Sequence, residues 1–571
     1  MKKLILYILL LPLAVSCKKE KLDLKPDNRP TTEARKGSQV RIVNLVGYNQ
    51  VIANGDSLTN FVTRNSNNPD YYKYPGTSYF PTDGRLGKTW TIPQDLFDQQ
   101  QQLDLQISLR NYQSAGDMDM RVKVQENYAH PTDYYLLNHL FMNGQPEVVE
   151  VPRDVSSPSK PDHFKIRIVN LGGEIKRLTM GLTGMQEDLK GPVSLAYADG
   201  TLVHNKTNQV STQVKASEYI ELPYGTYQFK VLVGDGRQVP SLGNERAEYK
   251  VIDPASSTIP LDHAKLTNLH YAAVKTYQPG GVYTIVVTPQ RYDYIVDEIG
   301  NTSWLYQNSF QVITDVSAPA NQTYVRLQGA NAYTDKAVSF KVNGKTVGEK
   351  VSFGEATDYS VQIHGTYKVE AVDAGGQVLA SLDQVLQPAQ NYTFWLHPNA
   401  DGSPRLLAVA NDLSGAVFTG ATDDGTFART QHQFFFFKRF LNLAVGNPYI
   451  TFTLNNGQLG NSGVGSSLPN QNLQPGLPKL EGPYMDLGNV QTPFDIMAYR
   501  STPEVVPGLW ASDIASLSHQ RFIANEALYL RPNRPLPIQE PGVYTVALIG
   551  HTGNTATPTN KARMIIIKHT K

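Results

Sequence analysis

The phrase VRIVNL at residues 40–45 returns as IRIVNL at 166–171, more loosely as YVRLQGA at 324–330, and as RFLNLAV at 439–445. No other feature limits the fold of this chain so tightly. Alternate residues, such as Ile166 and Ile168, suit a strand with one buried face. Two more phrases travel with the first. LPYGTYQFKVLV (222–233) matches IHGTYKVEAVD (363–373); Gly225 and Gly365 mark a bend, and Tyr227 and Tyr367 open a strand. PGGVYTIVV (279–287), AQNYTFWLH (389–397) and PGVYTVALIG (541–550) each put a turn before a Tyr-Thr-apolar strand. Between the first two phrases, VSFKVNGKTV (338–347) reads as a hairpin with a type I′ turn at Asn343-Gly344.

Strand, hairpin, Gly-Thr-Tyr strand and Tyr-Thr strand together describe a sandwich of roughly 100 residues built from two packed antiparallel sheets. Gly and Pro punctuate the chain throughout, and helical periodicity is scarce. The fold class expected is all-β: tandem immunoglobulin-like antiparallel β-sandwich domains behind a lipidated, disordered tether. The segments expected are a signal peptide at 1–16, a lipidated cysteine and flexible tether at 17–38, and sandwiches at 39–153, 164–300, 318–412 and 430–571. DVSSPSKPDH (154–163) is the linker between the first two sandwiches.

The order of phrases in 323–412, and again in 164–290, resembles the bacterial domain-of-unknown-function family numbered 4397. Its members carry a "VRVVNA"-like first strand, a "vyvnG" hairpin, a "GtY" strand and a "YTv" strand. The resemblance implies repeated immunoglobulin-like modules in secreted or lipid-anchored proteins. It brings no catalytic residues with it.

The single cysteine of the 571 residues closes the stretch LAVSC (13–17). Lys2 and Lys3 precede an apolar run over 4–15, which is shorter than the ~20 residues of a spanning helix and reads as a secretory signal. Leu13-Ala14-Val15-Ser16-Cys17 resembles the bacterial lipobox. That resemblance implies removal of residues 1–16 and acylation of Cys17, with several acyl chains giving stable anchoring. Lys18 follows the cysteine where an inner-membrane retention signal would place Asp, which points to the outer membrane. KKEKLD (18–23) is similar to surface-export signals of Bacteroidetes-type lipoproteins. Residues 18–38 are too polar to fold and reach about 60 Å when extended. One cysteine leaves no internal disulfide. The formal charge is +1, and removing Lys2 and Lys3 makes it −1, so no nucleic-acid partner is expected.

Enzyme signatures are missing from the sequence. The twelve histidines are scattered, with no H-x-H or H-E-x-x-H, and no G-x-S-x-G or phosphate loop occurs. Neither a cofactor nor a metal is expected, and GDMDMR (116–121) and ATDDGT (421–426) offer too few oxygens for calcium. Asp56-Ser57-Leu58 resembles a short acceptor for O-glycosylation. Candidate ligand-binding residues lie in YYKYPGTSYF: Tyr71, Tyr72, Tyr74, Tyr79 and Phe80. Their rings suit sugar faces, and the alternative is that they cover one end of a core. In QHQFFFFKRF (431–440), alternate rings of a strand must point to opposite sides, so burial of all of them requires two covered faces.

The function expected is therefore non-enzymatic binding or scaffolding by a lipid-anchored envelope protein, with its ligand surface at the tip of a tethered rod. Its partners would be outer-membrane lipid through Cys17 and either a polysaccharide or an outer-membrane protein. A glycan-binding accessory lipoprotein of a nutrient transporter is the alternative, and a cell-surface hydrolase a second.

Overall fold

The computed structural model describes residues 35–571, except 61–75, 82–83, 110–118, 138–145, 176–188, 242–271, 296–301, 334, 415, 419–428, 432–434, 460–467, 481, 487–492, 531–535 and 553–555. Two compact units divide the chain: Met1–Arg41 with Tyr48–Tyr128, and Ile42–Gly47 with Ala129–Lys571. In the first, Gln50–Ala53 lies between Asp56–Ser57 and Gln102–Ser108, and Asp119–Gln125 completes the sheet. Leu103, Leu105, Ile107, Val122 and Val124 alternate inward on the two longer strands. Asn54 and Gly55 turn the Gln50–Ser57 hairpin with φ of 51° and 91°, as a type I′ turn requires.

The second unit holds three sandwiches on one plan. In each, one sheet contains the repeated opening phrase and the Tyr-Thr strand side by side. His163–Asn170 runs parallel to Val282–Ile295, Tyr324–Asn331 to Asn391–Pro398, and Phe436–Asn442 to Gly542–Ile549. Every other strand pair in these three sheets is antiparallel. The parallel pair follows from the chain order, because the other sheet is built before the chain returns to pair with its first strand. At 324–411, that other sheet runs Lys345–Val351, Val338–Val342, Gly365–Val372, Val378–Leu386.

Val325, Leu327, Phe340, Val369, Phe394 and Leu396 fill the core between the two sheets of the 324–411 sandwich. Gly329 lies beneath Phe340; a Cβ there would stand 2.2 Å from the ring, so glycine is what admits the phenylalanine. The outward faces of the phrase sheets are covered too. Ala330, Trp395 and Val409 pack on Leu441, Leu443, Ala547 and Ile549 of the last sandwich. Val169, Leu171, Val286 and Ile313 pack on Val43, Leu45, Tyr135 and Val151. The sandwiches of this unit are thus joined broadside through their sheets.

The phenylalanine run has both faces covered, as the alternation requires. Phe436 and Phe440 enter the last core with Phe452 and Tyr544, while Phe435 and Phe437 stack at 5.0 Å on the other side beside Val274 and Leu413. Phe434 lies outside the described residues.

An asparagine ends each phrase strand and ties it to the rest of its sandwich. Asn170 Nδ2 donates to the carbonyls of Gly191 and Val210, both at 2.9 Å. Asn331 does so to Lys336 and Val351 at 3.1 and 3.2 Å, and Asn442 to Asn447 and Leu473 at 2.8 and 3.1 Å. Each Oδ1 accepts the backbone N–H two residues on, from Gly172, Tyr333 and Ala444. All three side chains are buried, so removing one takes three hydrogen bonds out of an apolar setting. Asn331→Ala is expected to cost about 2–4 kcal/mol in denaturant unfolding, more than the same change at half-buried Asn399 on the same sandwich.

Candidate functional site

A buried arginine sits opposite the threonine of the Tyr-Thr strand in two sandwiches, and it reaches out to the preceding segment. Arg167 pairs in register with Thr284, donates from Nε to Thr284 Oγ1 at 3.0 Å and from Nη1 to the Pro152 carbonyl at 2.6 Å, and lies 4.6 Å over the Tyr219 ring. Arg439 pairs with Thr545, donates from Nη1 to the Ala410 carbonyl at 2.7 Å, and lies 4.8 Å over Tyr484. Each therefore closes a joint with the last strand of the module before it, Val148–Pro152 in one case and Pro404–Asn411 in the other.

The 324–411 sandwich departs from this rule. Gln328, not arginine, stands opposite Thr393, and its Nε2 donates to Thr393 Oγ1 at 2.9 Å and to His569 Nδ1 at 3.1 Å. The arginine comes two residues earlier, at Arg326, and it reaches no carbonyl of a preceding strand. Its guanidinium lies 4.4 Å over the Tyr359 ring, and Nη1 donates to Asn391 Oδ1 at 3.3 Å. Gly225 of the Gly-Thr-Tyr phrase makes room for it, since a Cβ there would come within 3.0 Å of Cζ.

Arg326 lines a cleft of about 630 Å³ whose walls come from all three sandwiches. Tyr197, Tyr224 and Tyr227 supply aromatic wall, Asp358 and Lys571 the rim. Tyr197 is half-buried, and the Lys571 ammonium lies 5.1 Å from its ring while pairing with Asp358 at 3.0 Å. Burial raises the Tyr197 and Tyr224 hydroxyls above the ordinary tyrosine value, so both stay protonated donors.

The floor of the cleft is a closed polar network. Because Gln328 Nε2 can only donate, His569 Nδ1 accepts, and it also takes the Tyr359 hydroxyl at 2.9 Å. His569 Nε2–H then donates to Thr545 Oγ1 at 2.7 Å. Burial, with Arg439 and Arg326 nearby, pushes His569 down to about 3 and keeps it neutral. Burial likewise pushes Tyr359 up to about 12 against the pull of Arg326. The floor thus has a fixed hydrogen-bond pattern with no proton to exchange near neutrality.

Behind the cleft, Glu540 is fully buried and joins the 163–316 sandwich to the last one. Lys230 Nζ stands 2.6 Å from Oε1 and Lys568 Nζ 3.0 Å from Oε2; the Tyr529 hydroxyl donates to Oε1 and the Ala524 N–H to Oε2 at 3.1 Å. Burial alone would raise its carboxyl, but Lys568 and Lys230 outweigh it and hold the group ionised, down at about 2. Gln238 Nε2 to the Leu528 carbonyl at 2.9 Å and Asn525 Nδ2 to the Asp199 carbonyl at 3.0 Å extend the same joint.

Among the residues picked out from the sequence, Phe80 is buried with its ring 5.2 Å from Trp90, and Tyr79 is half-buried beneath the Arg35 guanidinium at 4.1 Å. Tyr71, Tyr72, Tyr74 and Cys17 lie outside the described residues, as do Asp117 and 421–426. Asp56 and Ser57 are exposed. Among the described residues no group of three His, Cys, Asp or Glu side chains is placed to hold a metal ion. Sequence reading missed Arg326, Asn331, Lys230, Glu540 and His569.

Breaking a buried ion pair from one side leaves an uncompensated charge, so Glu540→Gln should cost about 3–5 kcal/mol in chemical unfolding. A carboxylate held below its ordinary value of 4.5 stabilises the fold above that pH and loses this contribution as pH falls toward 2. Between pH 5 and 2, the stability of the wild type should therefore fall more steeply than that of Glu540→Gln.

No curated protein matches the chain. Residues 323–422 match the family model described as "Domain of unknown function (DUF4397)", over the span that folds as the 324–411 sandwich. Residues 323–422 thus form a module like that family's, and the phrase sheets of the sandwiches on either side share its strand order.

Proposed function

We propose that this chain is a lipid-anchored protein of the bacterial outer membrane that works by binding or scaffolding and not by catalysis. LAVSC at 13–17, with the chain's one cysteine at its end and the polar stretch 18–38 behind it, supports the anchor. The cleft of about 630 Å³ carries the binding reading. Its volume is that of a small-molecule or oligosaccharide site, and it combines aromatic wall with a few fixed polar groups. The three-sandwich body that forms it rests on buried joints, so the cleft is held in shape before a ligand arrives.

The partner is a polysaccharide or an outer-membrane protein. Half-buried Tyr197 in the cleft favours the first, since tyrosine rings pack on the C–H groups of sugars. This is the surface expected of a glycan-binding accessory lipoprotein beside a nutrient transporter. A hydrolase would require turnover that disappears on changing one carboxylate or hydroxyl in the cleft.

Cys17→Ala should lose acyl label and leave the membrane fraction; retention there without label or partner would contradict the anchor. Mild detergent solubilisation of the native envelope should recover the chain with a stoichiometric membrane protein if it scaffolds. Affinity electrophoresis through polysaccharide gels should retard it if it binds glycan.

A further inference from the structure

The repeated arginine has a consistent job in two sandwiches, and the exception falls in the cleft. Arg167 and Arg439 each give Nη1 to a carbonyl of the preceding module's last strand. Arg326 is only 5% exposed and has one hydrogen bond, to a neutral amide. Among the described residues no carboxylate pairs with it. A guanidinium keeps its charge, and burying one without a counter-ion is costly unless something arrives to meet it. The group also stands where a ligand can reach it, since it lines the cleft.

We propose that the cleft takes a carboxylated sugar, with the sugar's carboxylate on Arg326 and its ring against Tyr197. The planar guanidinium fork matches a planar carboxylate through two parallel hydrogen bonds. A phosphate dianion would be half compensated, because the other cation at the rim, Lys571, already pairs with Asp358. Exposed Asp358 and Glu355 accept from hydroxyls, and half-buried Tyr197 lines the same cleft with the Lys571 ammonium 5.1 Å from its ring. A charged head, an apolar face and a hydroxyl rim describe a uronic acid residue of an acidic polysaccharide. This inference rests on the binding reading above and names the ligand class for the same cleft.

The test uses the full chain in detergent, titrated calorimetrically with a galacturonate trisaccharide and with a neutral galactose trisaccharide of the same length. The acidic sugar should bind at least about tenfold tighter, as a charged hydrogen-bonded pair provides, and its affinity should fall with added salt. Arg326→Gln should erase that preference. If Arg326→Gln does not fold, Tyr197→Ala at the half-buried rim replaces it and should weaken the acidic sugar at least about fivefold, the loss of one ring contact. Undiminished galacturonate binding by a folded Arg326→Gln, or by Tyr197→Ala, overturns the proposal. Equal binding of the two sugars, lost in Tyr197→Ala, overturns it while the binding reading stands. If neither sugar binds but a membrane protein co-purifies, the proposal fails and scaffolding remains. If neither sugar binds and nothing co-purifies, both fail.

Discussion

Trp395 is fully buried, yet it points away from the core of its own sandwich. The second unit depends on that arrangement. Each phrase sheet has one face in its own core and the other against a neighbour, so its central strands are closed to water. Asn391–Pro398 and Gly542–Ile549 are buried at every position. Along a strand covered on both sides an unpaired buried polar group costs about 1–3 kcal/mol, so pairing such groups is favoured. Thr393, Gln328, Asn411, Tyr359, His569 and Thr545 do this for one another across two sandwiches. The seam is thus apolar at one end, around Trp395 and Leu441, and a closed hydrogen-bond network at the other.

The same demand explains the buried charges. Arg167 and Arg439 each give Nη1 to a carbonyl of a neighbouring module, and Glu540 draws two lysines from different sandwiches. Pairs of this kind add little net stability over apolar residues, but they penalise any other docking geometry, since displacement strands a charge. The cleft lined by Arg326 exists only while the three sandwiches keep this relation. Shape and recognition chemistry therefore have one origin.

Much of the fold was legible in the sequence because it is written locally. Alternation in IRIVNL, the Asn-Gly hairpin and the Tyr-Thr strands each need only a few neighbouring residues to be recognised. The phenylalanine run carried its two-faced burial in its own spacing. AQNYTFWLH holds the same message, since Trp395 and Phe394 cannot share a face and both are buried. The site was not legible, for a physical reason. Lys230 and Glu540 are 310 residues apart and Gln328 and His569 are 241 apart, so nothing in the neighbourhood of either partner announces the other. Arg326 was hidden in a second way. YVRLQGA looks like a loose copy of the phrase because the arginine stands two positions out of register, and that displacement is what turns it from a joint to a cleft.

The central claim is that the joints make one cooperative body of the three sandwiches. Hydrogen exchange resolved by peptide, across increasing denaturant, tests it most directly. Amides of 230–233, 391–398 and 542–549 should converge on a single opening free energy and lose protection together. If 391–398 opens at a lower denaturant concentration while 230–233 and 542–549 stay protected, the sandwiches are independent beads and the account is wrong.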